Sequence, residues 1–330
     1  MRFTLSTITI LLVIAYGCSQ SREKDFNYKK VILKEVAIAR GLDHPGVLKI
    51  HNDQIFVYDS YSDYAFHIYS LMDFQQKGTI VRHGRGNETV VHFSFMIGGE
   101  DSLFYKTNDS IFLAKIQTKD NRLSITDYTS IKLPSELKHS SDFFILRDTF
   151  FFSNSGDSTK FDFKGFCLKN YSVFDYGEII FTKSPGYKRE VLFDLGIKHS
   201  TVKPDKSMIA TIYQSTAALR IYSPLTWKIA NEWHVDIKPI QYFSIRSTSE
   251  FIYALFTDTQ PPDLLWDGSR WRSNDVANEI HVWDWNGNFV MKFKLNRLVF
   301  SFDITPDNKR IVALSATDTK HLLVSDIPWN

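Results

Sequence analysis

The chain has 330 residues, a formal net charge of +2 and only two cysteines. Aromatic residues make up 15% of it, 27 of them phenylalanine, a profile suited to pleated, half-buried strands rather than helices. So small a charge, with no basic run beyond Tyr28-Lys29-Lys30, argues for no nucleic-acid partner, and two cysteines cannot build a disulfide scaffold.

The first residues form a separate object. Phe3 to Tyr16 is largely apolar but shorter than the roughly 20 residues a membrane-spanning helix needs, so residues 1–17 read as a secretory signal. It ends Ile14-Ala15-Tyr16-Gly17-Cys18, followed by Ser19-Gln20-Ser21. Alanine three residues before a cysteine and glycine directly before it resemble the bacterial lipobox. That resemblance implies cleavage ahead of Cys18, lipid on Cys18 and attachment to a bacterial envelope, expected to be the outer membrane. An ordinary secretory signal that happens to contain a cysteine is the alternative. Residues 18–29 then form the lipidated cysteine and a polar tether, and residues 30–330 one domain. Cys167, left without a partner, sits in Phe166-Cys167-Leu168 and reads as an inert core residue of a buried strand.

Beyond the tether the chain repeats short apolar-alternating runs separated by Asn, Asp, Gly, Ser and Pro. One unit holds strands at residues 47–50, 54–58, 66–70 and 79–81. A second holds them at 91–95, 102–105, 110–114 and 123–126, and a third at 143–146, 149–152, 165–168 and 177–180. A fourth runs through 199–202, 208–212, 219–222 and 229–233. The fifth has 242–245, 251–255 and the hairpin 280–284 with 289–293, joined through Asn286-Gly287, the pair that a tight primed turn favours. The sixth has only 302–304, 310–314 and 322–325, while a spare strand stands at Val31 to Ile38. A four-strand repeat of this period predicts an all-β, six-bladed β-propeller closed by the N-terminal strand completing the last blade. A β-sandwich with long loops is the alternative, but it gives no reason for one spare strand and one shortfall.

Three stretches carry a resemblance to the TolB-like and NHL-like six-bladed propellers found among Bacteroidetes lipoproteins. They are Arg82-His83-Gly84-Arg85-Gly86-Asn87-Glu88, Val282-Trp283-Asp284-Trp285-Asn286-Gly287-Asn288 and Ile304-Thr305-Pro306-Asp307-Asn308-Lys309-Arg310. The resemblance implies fold and envelope address rather than a reaction, since these motifs mark turns and hairpins. Six-bladed lactonases hold calcium with carboxylates and amides where blades begin, whereas the blade entrances here are led by histidine.

In a four-strand meander the loops between blades and the loops between second and third strands share one face. His44, His92, His139 and His199 fall at or just before four successive innermost strands, with Gln241 at the comparable point of the next and Ser301 in the last. In register, these side chains ring the channel mouth as a ligand-binding rim, and imidazoles there could take a divalent metal. A slip of one residue swings each to another face. On the same face Thr257 to Asn278 forms a long loop containing Leu264, Leu265, Trp266, Trp271 and Arg272, residue types enriched where partners bind. It either contacts a partner or folds back over its own blade. No nucleophile elbow, zinc-protease motif or cysteine pair at metal spacing occurs, so no catalytic residue is assigned. Asp157, Asp162, Glu100 and Asp101 read as solvated surface charge.

The expectation is therefore a non-catalytic binding or scaffolding propeller that contacts a protein or glycan partner, without a cofactor. A metal-dependent hydrolase or lactonase at the channel mouth is the alternative, and a sugar-binding lectin a third reading.

Overall fold

A computed structural model describes residues 28–38, 41–83, 95–98, 102–107, 109–119, 122–138, 140, 142–153, 161–177, 197–214, 218–226, 228–234, 241–257 and 277–329. Strands dominate, and the helical element among the described residues is a 3-10 turn at Ser135–Leu137. Chain order gives β1 (Tyr28–Val31), β2 (Lys34–Ala37), β3 (Pro45–His51), β4 (Gln54–Asp59), β5 (Tyr64–Ser70) and β6 (Gln76–Arg82). Next come β7 (Phe95–Gly98), β8 (Ser102–Lys106), β9 (Ser110–Lys119), β10 (Arg122–Lys132), β11 (Phe143–Leu146), β12 (Thr149–Ser153), β13 (Phe163–Cys167) and β14 (Val173–Tyr176). Then follow β15 (Lys198–Val202), β16 (Ile209–Tyr213), β17 (Ala218–Tyr222), β18 (Ile229–His234), β19 (Gln241–Ser247) and β20 (Phe251–Thr257). The chain closes with β21 (Ala277–Asp284), β22 (Phe289–Ile304), β23 (Arg310–Ser315) and β24 (His321–Asp326).

Strands β3 to β18 form four separate four-stranded sheets, each a meander of consecutive antiparallel strands. The remainder form one eight-stranded sheet in the order β19-β20-β21-β22-β23-β24-β2, with β1 beside β22. Strand β22 holds it together: Phe289 to Lys294 pair with β21, whereas Val299 to Ile304 pair with β23. The expected N-terminal pairing is present, because Lys34 to Ala37 run antiparallel to Val324 to His321. The early segment is nevertheless split in two. Tyr28 to Val31 run parallel to Lys292 to Leu295 before the chain crosses to β24, and the Asn296 carboxamide oxygen accepts the Leu33 N–H at 2.8 Å where it crosses.

The buried apolar residues collect between successive sheets. Phe56, Phe66 and Ile68 meet Phe95, Leu103 and Tyr105; Ile111 and Leu133 meet Phe150 and Phe152; Phe144 and Phe163 meet Ile209 and Tyr222. Ile212 and Ile221 meet Tyr242 and Trp283. Within the eight-stranded sheet Tyr253, Ile280 and Phe293 meet Phe302, Ala313 and Leu323, and Val312, Leu314 and Leu322 pack back on Leu48, Ile55 and Val57 of the first sheet. Each sheet thus buries both faces against its neighbours, which is why strands such as Ile209–Tyr213 are buried at every position instead of alternating. The arrangement is an all-β β-propeller, not a two-layer sandwich.

Local expectations are corrected in four places. The fourth strand of the third sheet is Val173–Tyr176, ahead of the expected 177–180, of which Gly177 turns the chain with φ +68° and residues 178–180 lie outside the described residues. Strand β7 continues to Gly98, beyond the expected end at residue 95, and residues 91–94 lie outside the described residues. The β21–β22 turn has positive φ at Gly287 alone, 80°. Gly287 donates its N–H to the Asp284 carbonyl, which makes a type I turn followed by a left-handed glycine rather than a primed pair. Finally, Cys167 is only half-buried.

Candidate functional site

Antiparallel order places the β4–β5, β8–β9, β12–β13, β16–β17 and β20–β21 loops at the same end of the sheets as the connections between sheets. His44 lies in the connection entering β3, His199 is the second residue of β15 opposite Ile212, and the backbone of Gln241 opens β19 opposite Thr257. These three positions share that loop end. Ser301, buried on β22, turns to structure: its hydroxyl accepts the Leu48 N–H at 3.0 Å. Cys18, His92, His139, Leu264, Leu265, Trp266, Trp271 and Arg272 lie outside the described residues, as do Glu100, Asp101 and Asp157.

The conformation around His44 is set by Asp59, a fully buried carboxylate at the end of β4. Its Oδ2 accepts the Asp43 N–H at 2.7 Å, and its Oδ1 accepts the N–H groups of His44, Tyr61 and Ser62 at 2.9, 3.2 and 3.3 Å. One carboxylate thereby fixes two loops at once, satisfying backbone donors that burial would otherwise leave costly. His44 Nδ1 lies 3.1 Å from the Ser60 hydroxyl, and its ring tilts over Tyr61 at 5.0 Å. The His83 Nε2–H donates to the Asp59 carbonyl at 2.9 Å. Half-buried and held on both sides, His44 is part of a rigid loop platform.

Charged side chains from several innermost strands meet at the axis. Lys49 on β3 donates to the Phe95 carbonyl and sits over the Phe95 ring. Arg246 on β19 donates to the Leu48 carbonyl at 3.2 Å and pairs with Asp303 on β22 at 3.9 Å. Asp303 also accepts the Ile50 and Ile304 N–H groups at 2.7 and 2.8 Å. Burial, reinforced by the Arg246 charge, brings the Lys49 ammonium down to about 8 against the pull of Asp142 and Asp303. Burial also pushes the Asp303 carboxyl up, opposed by Arg246, two backbone N–H groups and Lys49. Two cations facing two carboxylates make a balanced network that joins separate sheets across the axis.

A second buried cluster overturns the surface reading of Asp162, which is fully buried at the β12–β13 loop. It accepts the Tyr213 hydroxyl at 2.5 Å and the Tyr222 hydroxyl, and pairs with Lys198 at 3.5 Å and Arg220 at 3.4 Å. Arg220 is also bound by Glu232 at 2.6 Å. Burial lowers Lys198 and raises both tyrosines. The sequence shows the buried tyrosines only as strand residues; their contact with an aspartate some 50 positions earlier is a product of sheets packing face to face.

At the base of the long loop, Tyr242, His281 and Glu279 form a chain. The Tyr242 hydroxyl lies 2.8 Å from His281 Nδ1, and His281 Nε2 lies 2.7 Å from Glu279. The ring is thereby held between a tyrosine hydroxyl at Nδ1 and a carboxylate that accepts the Nε2–H. Burial raises the Glu279 carboxyl, but the His281 hydrogen bond and the charges of His281, Lys292 and Lys294 bring it down to about 2. Among the described residues, no three His, Cys, Asp or Glu side chains converge to hold a metal ion.

No protein-family model matches the chain, and no curated protein matches it in sequence. Solved structures do. A member of the DUF4221 family from Bacteroides vulgatus superposes with a TM-score of 0.57 at 11% identity, covering 89% of this chain and 97% of the other. The Neurospora crassa Pan2 WD40 domain gives 0.52 at 9% identity over 87% and 90% of the two chains. The β-propeller domain of Cps50 (Swd1) from Myceliophthora thermophila gives 0.53 at 9% identity over 89% and 100%. At such identities the likeness concerns architecture, and the architecture shared is the β-propeller.

Proposed function

We propose that this chain is a six-bladed, envelope-anchored lipoprotein that acts as a non-catalytic binding or scaffolding propeller for a protein or glycan partner. The count of six is supported by the change of β22 pairing from β21 to β23, where this reading divides the strand between two blades. The eight-stranded sheet then splits into two blades, the second completed by β2. The anchor is the lipid expected on Cys18. The partner face is the loop end bearing His44, His199, Gln241 and the Thr257–Ala277 loop.

The observation that carries the binding reading is the use made of buried charge at this end. Asp59, Asp162 and the Lys106 ammonium, which donates to the Lys138 carbonyl at 2.7 Å, are each spent on fixing a loop or joining two sheets. Loops held this way present a preorganised surface, which lowers the entropic cost of association. The solved WD40 and DUF4221 propellers support the architecture of such a platform.

The test is capture from detergent-solubilised envelopes with the full chain and with residues 261–272 deleted. A partner retained by the full chain and lost on deletion, with unchanged thermal unfolding, is expected. Stoichiometric metal in the purified protein, removed by a His92→Ala/His199→Ala double variant, would instead favour the metal-dependent enzyme.

A further inference from the structure

The two ends of the propeller differ in what protrudes from them. The end opposite the interblade loops is built from the β3–β4-type and β5–β6-type turns. Among the exposed large apolar side chains, Met72 (78%), Leu225 (75%) and Tyr171 (70%) lie in equivalent turns. They lie in the β5–β6, β17–β18 and β13–β14 turns, the third-to-fourth strand turns of three sheets. Single exposed apolar residues need no explanation, but the same turn bearing one in three sheets defines a plane. Charge on this end is largely neutralised locally: Lys169 pairs with Asp148 at 2.7 Å, Lys203 with Asp205 at 3.6 Å, Lys309 with Asp307 at 3.6 Å and Lys77 with Asp73 at 3.9 Å.

The N-terminal segment enters from the same end. Strand β22 begins just after the β21–β22 turn, at this end, and runs away from it. Because β1 is parallel to β22, with Tyr28 opposite Lys292, the chain arrives at Tyr28 from the turn side. Residues 18–27 span at most roughly 35 Å and join the fold from the turn side, which favours this end over the loop end as the one a lipid on Cys18 holds toward the bilayer.

We propose that the turn end is a membrane-docking face, with Met72, Tyr171 and Leu225 entering the lipid interface and the interblade loops pointing away. This rests on the reading of Cys18 as lipidated. With Lys77, Lys169, Lys203 and Lys309 paired and Lys206, Lys228 and Arg147 left on the same turns, the face takes up lipid chiefly through apolar contact, so docking depends little on salt or on anionic lipid.

The experiment uses the full chain in a Cys167→Ser background, produced in a bacterial envelope and reconstituted into phosphatidylcholine vesicles containing nitroxide lipid. An environment-sensitive fluorophore is placed at Leu225→Cys or, as a control of equal exposure on the opposite end, at Tyr61→Cys. Expected are several-fold stronger quenching and a blue shift at position 225, little changed by raised salt, and their loss when Met72→Ser and Tyr171→Ser are added. Equal quenching at both positions, in protein whose mass shows lipid on Cys18, overturns the docking face and leaves the lipoprotein reading standing. An unmodified Cys18 with protein remaining outside the vesicles overturns both.

Discussion

Buried ammonium groups, Lys49, Lys106 and Lys198, give the ring an alkaline signature. Lys49 at the axis and Lys106, fully buried against the Lys138 carbonyl, both fall to about 8, chiefly through burial. The unfolded chain holds these protons to an ordinary lysine value near 10.5. Between those limits the unfolded state binds more protons, so stability rises with pH at up to roughly 1.4 kcal/mol per unit for each lysine. Above about pH 10 the sign reverses. Tyr213, Tyr222 and Tyr242 are raised by burial, so the unfolded chain releases their protons first. Denaturant midpoints measured from pH 7 to 11 are therefore expected to pass through a maximum between about 9 and 10. Lys49→Met should flatten the rising limb, since it removes one of the titrations that produce it. An unchanged rising limb in that variant would place the linkage elsewhere.

At the scale of elements, turn chemistry explains both what the sequence disclosed and what it concealed. Alternating runs located most strands to within two residues, because their apolar positions are dictated by burial against neighbouring sheets. The fourth strand of the third sheet escapes this logic: Val173–Tyr176 is half-exposed at its outer edge, so its side chains do not alternate in and out as the pattern requires. Gly177 is there for a backbone reason, having φ +68° and standing where an added Cβ would lie 3.0 Å from the Asp162 Cβ. Gly177→Ala is expected to cost about 2–3 kcal/mol, combining left-handed strain with displacement of a buried carboxylate that four side chains contact. Gly41→Ala, whose added methyl meets nothing closer than 3.5 Å and whose φ is ordinary, should stay within roughly 0.5 kcal/mol in the same denaturant titration. The Asp162 cluster was illegible for a related reason. Composition marks an aspartate in a loop as surface charge, and only the docking of one sheet on the next encloses it with Tyr213, Tyr222, Lys198 and Arg220.

For the whole molecule, closure is the property most plainly written in the chain, as a spare strand at one end and a vacancy at the other. The structure adds that the clasp grips twice, β1 along β22 and β2 along β24, with Val31 and Leu33 buried between them. Placement of the histidine rim remained a matter of register, and His44 shows why: its ring direction is decided by Asp59 and Ser60, which pattern alone does not bring near it. The clasp itself makes a quantitative prediction. Removing residues 1–37 exposes two apolar side chains and opens the edge of β24, a loss of about 5 kcal/mol from burial and ladder bonds together. In a chain of this size that should lower the melting temperature by roughly 10 °C. Connectivity is not what the ring requires, however, because Lys34 lies opposite Val324 and β2 runs antiparallel to β24. A permuted chain that starts at Gly41 and carries residues 34–40 behind Asn330 on a short glycine linker would form the same pair as an ordinary hairpin. It is expected to recover most of the lost melting temperature. A permutant no more stable than the truncated chain would mean that the grip of β1 on β22, which it lacks, carries the closure energy instead.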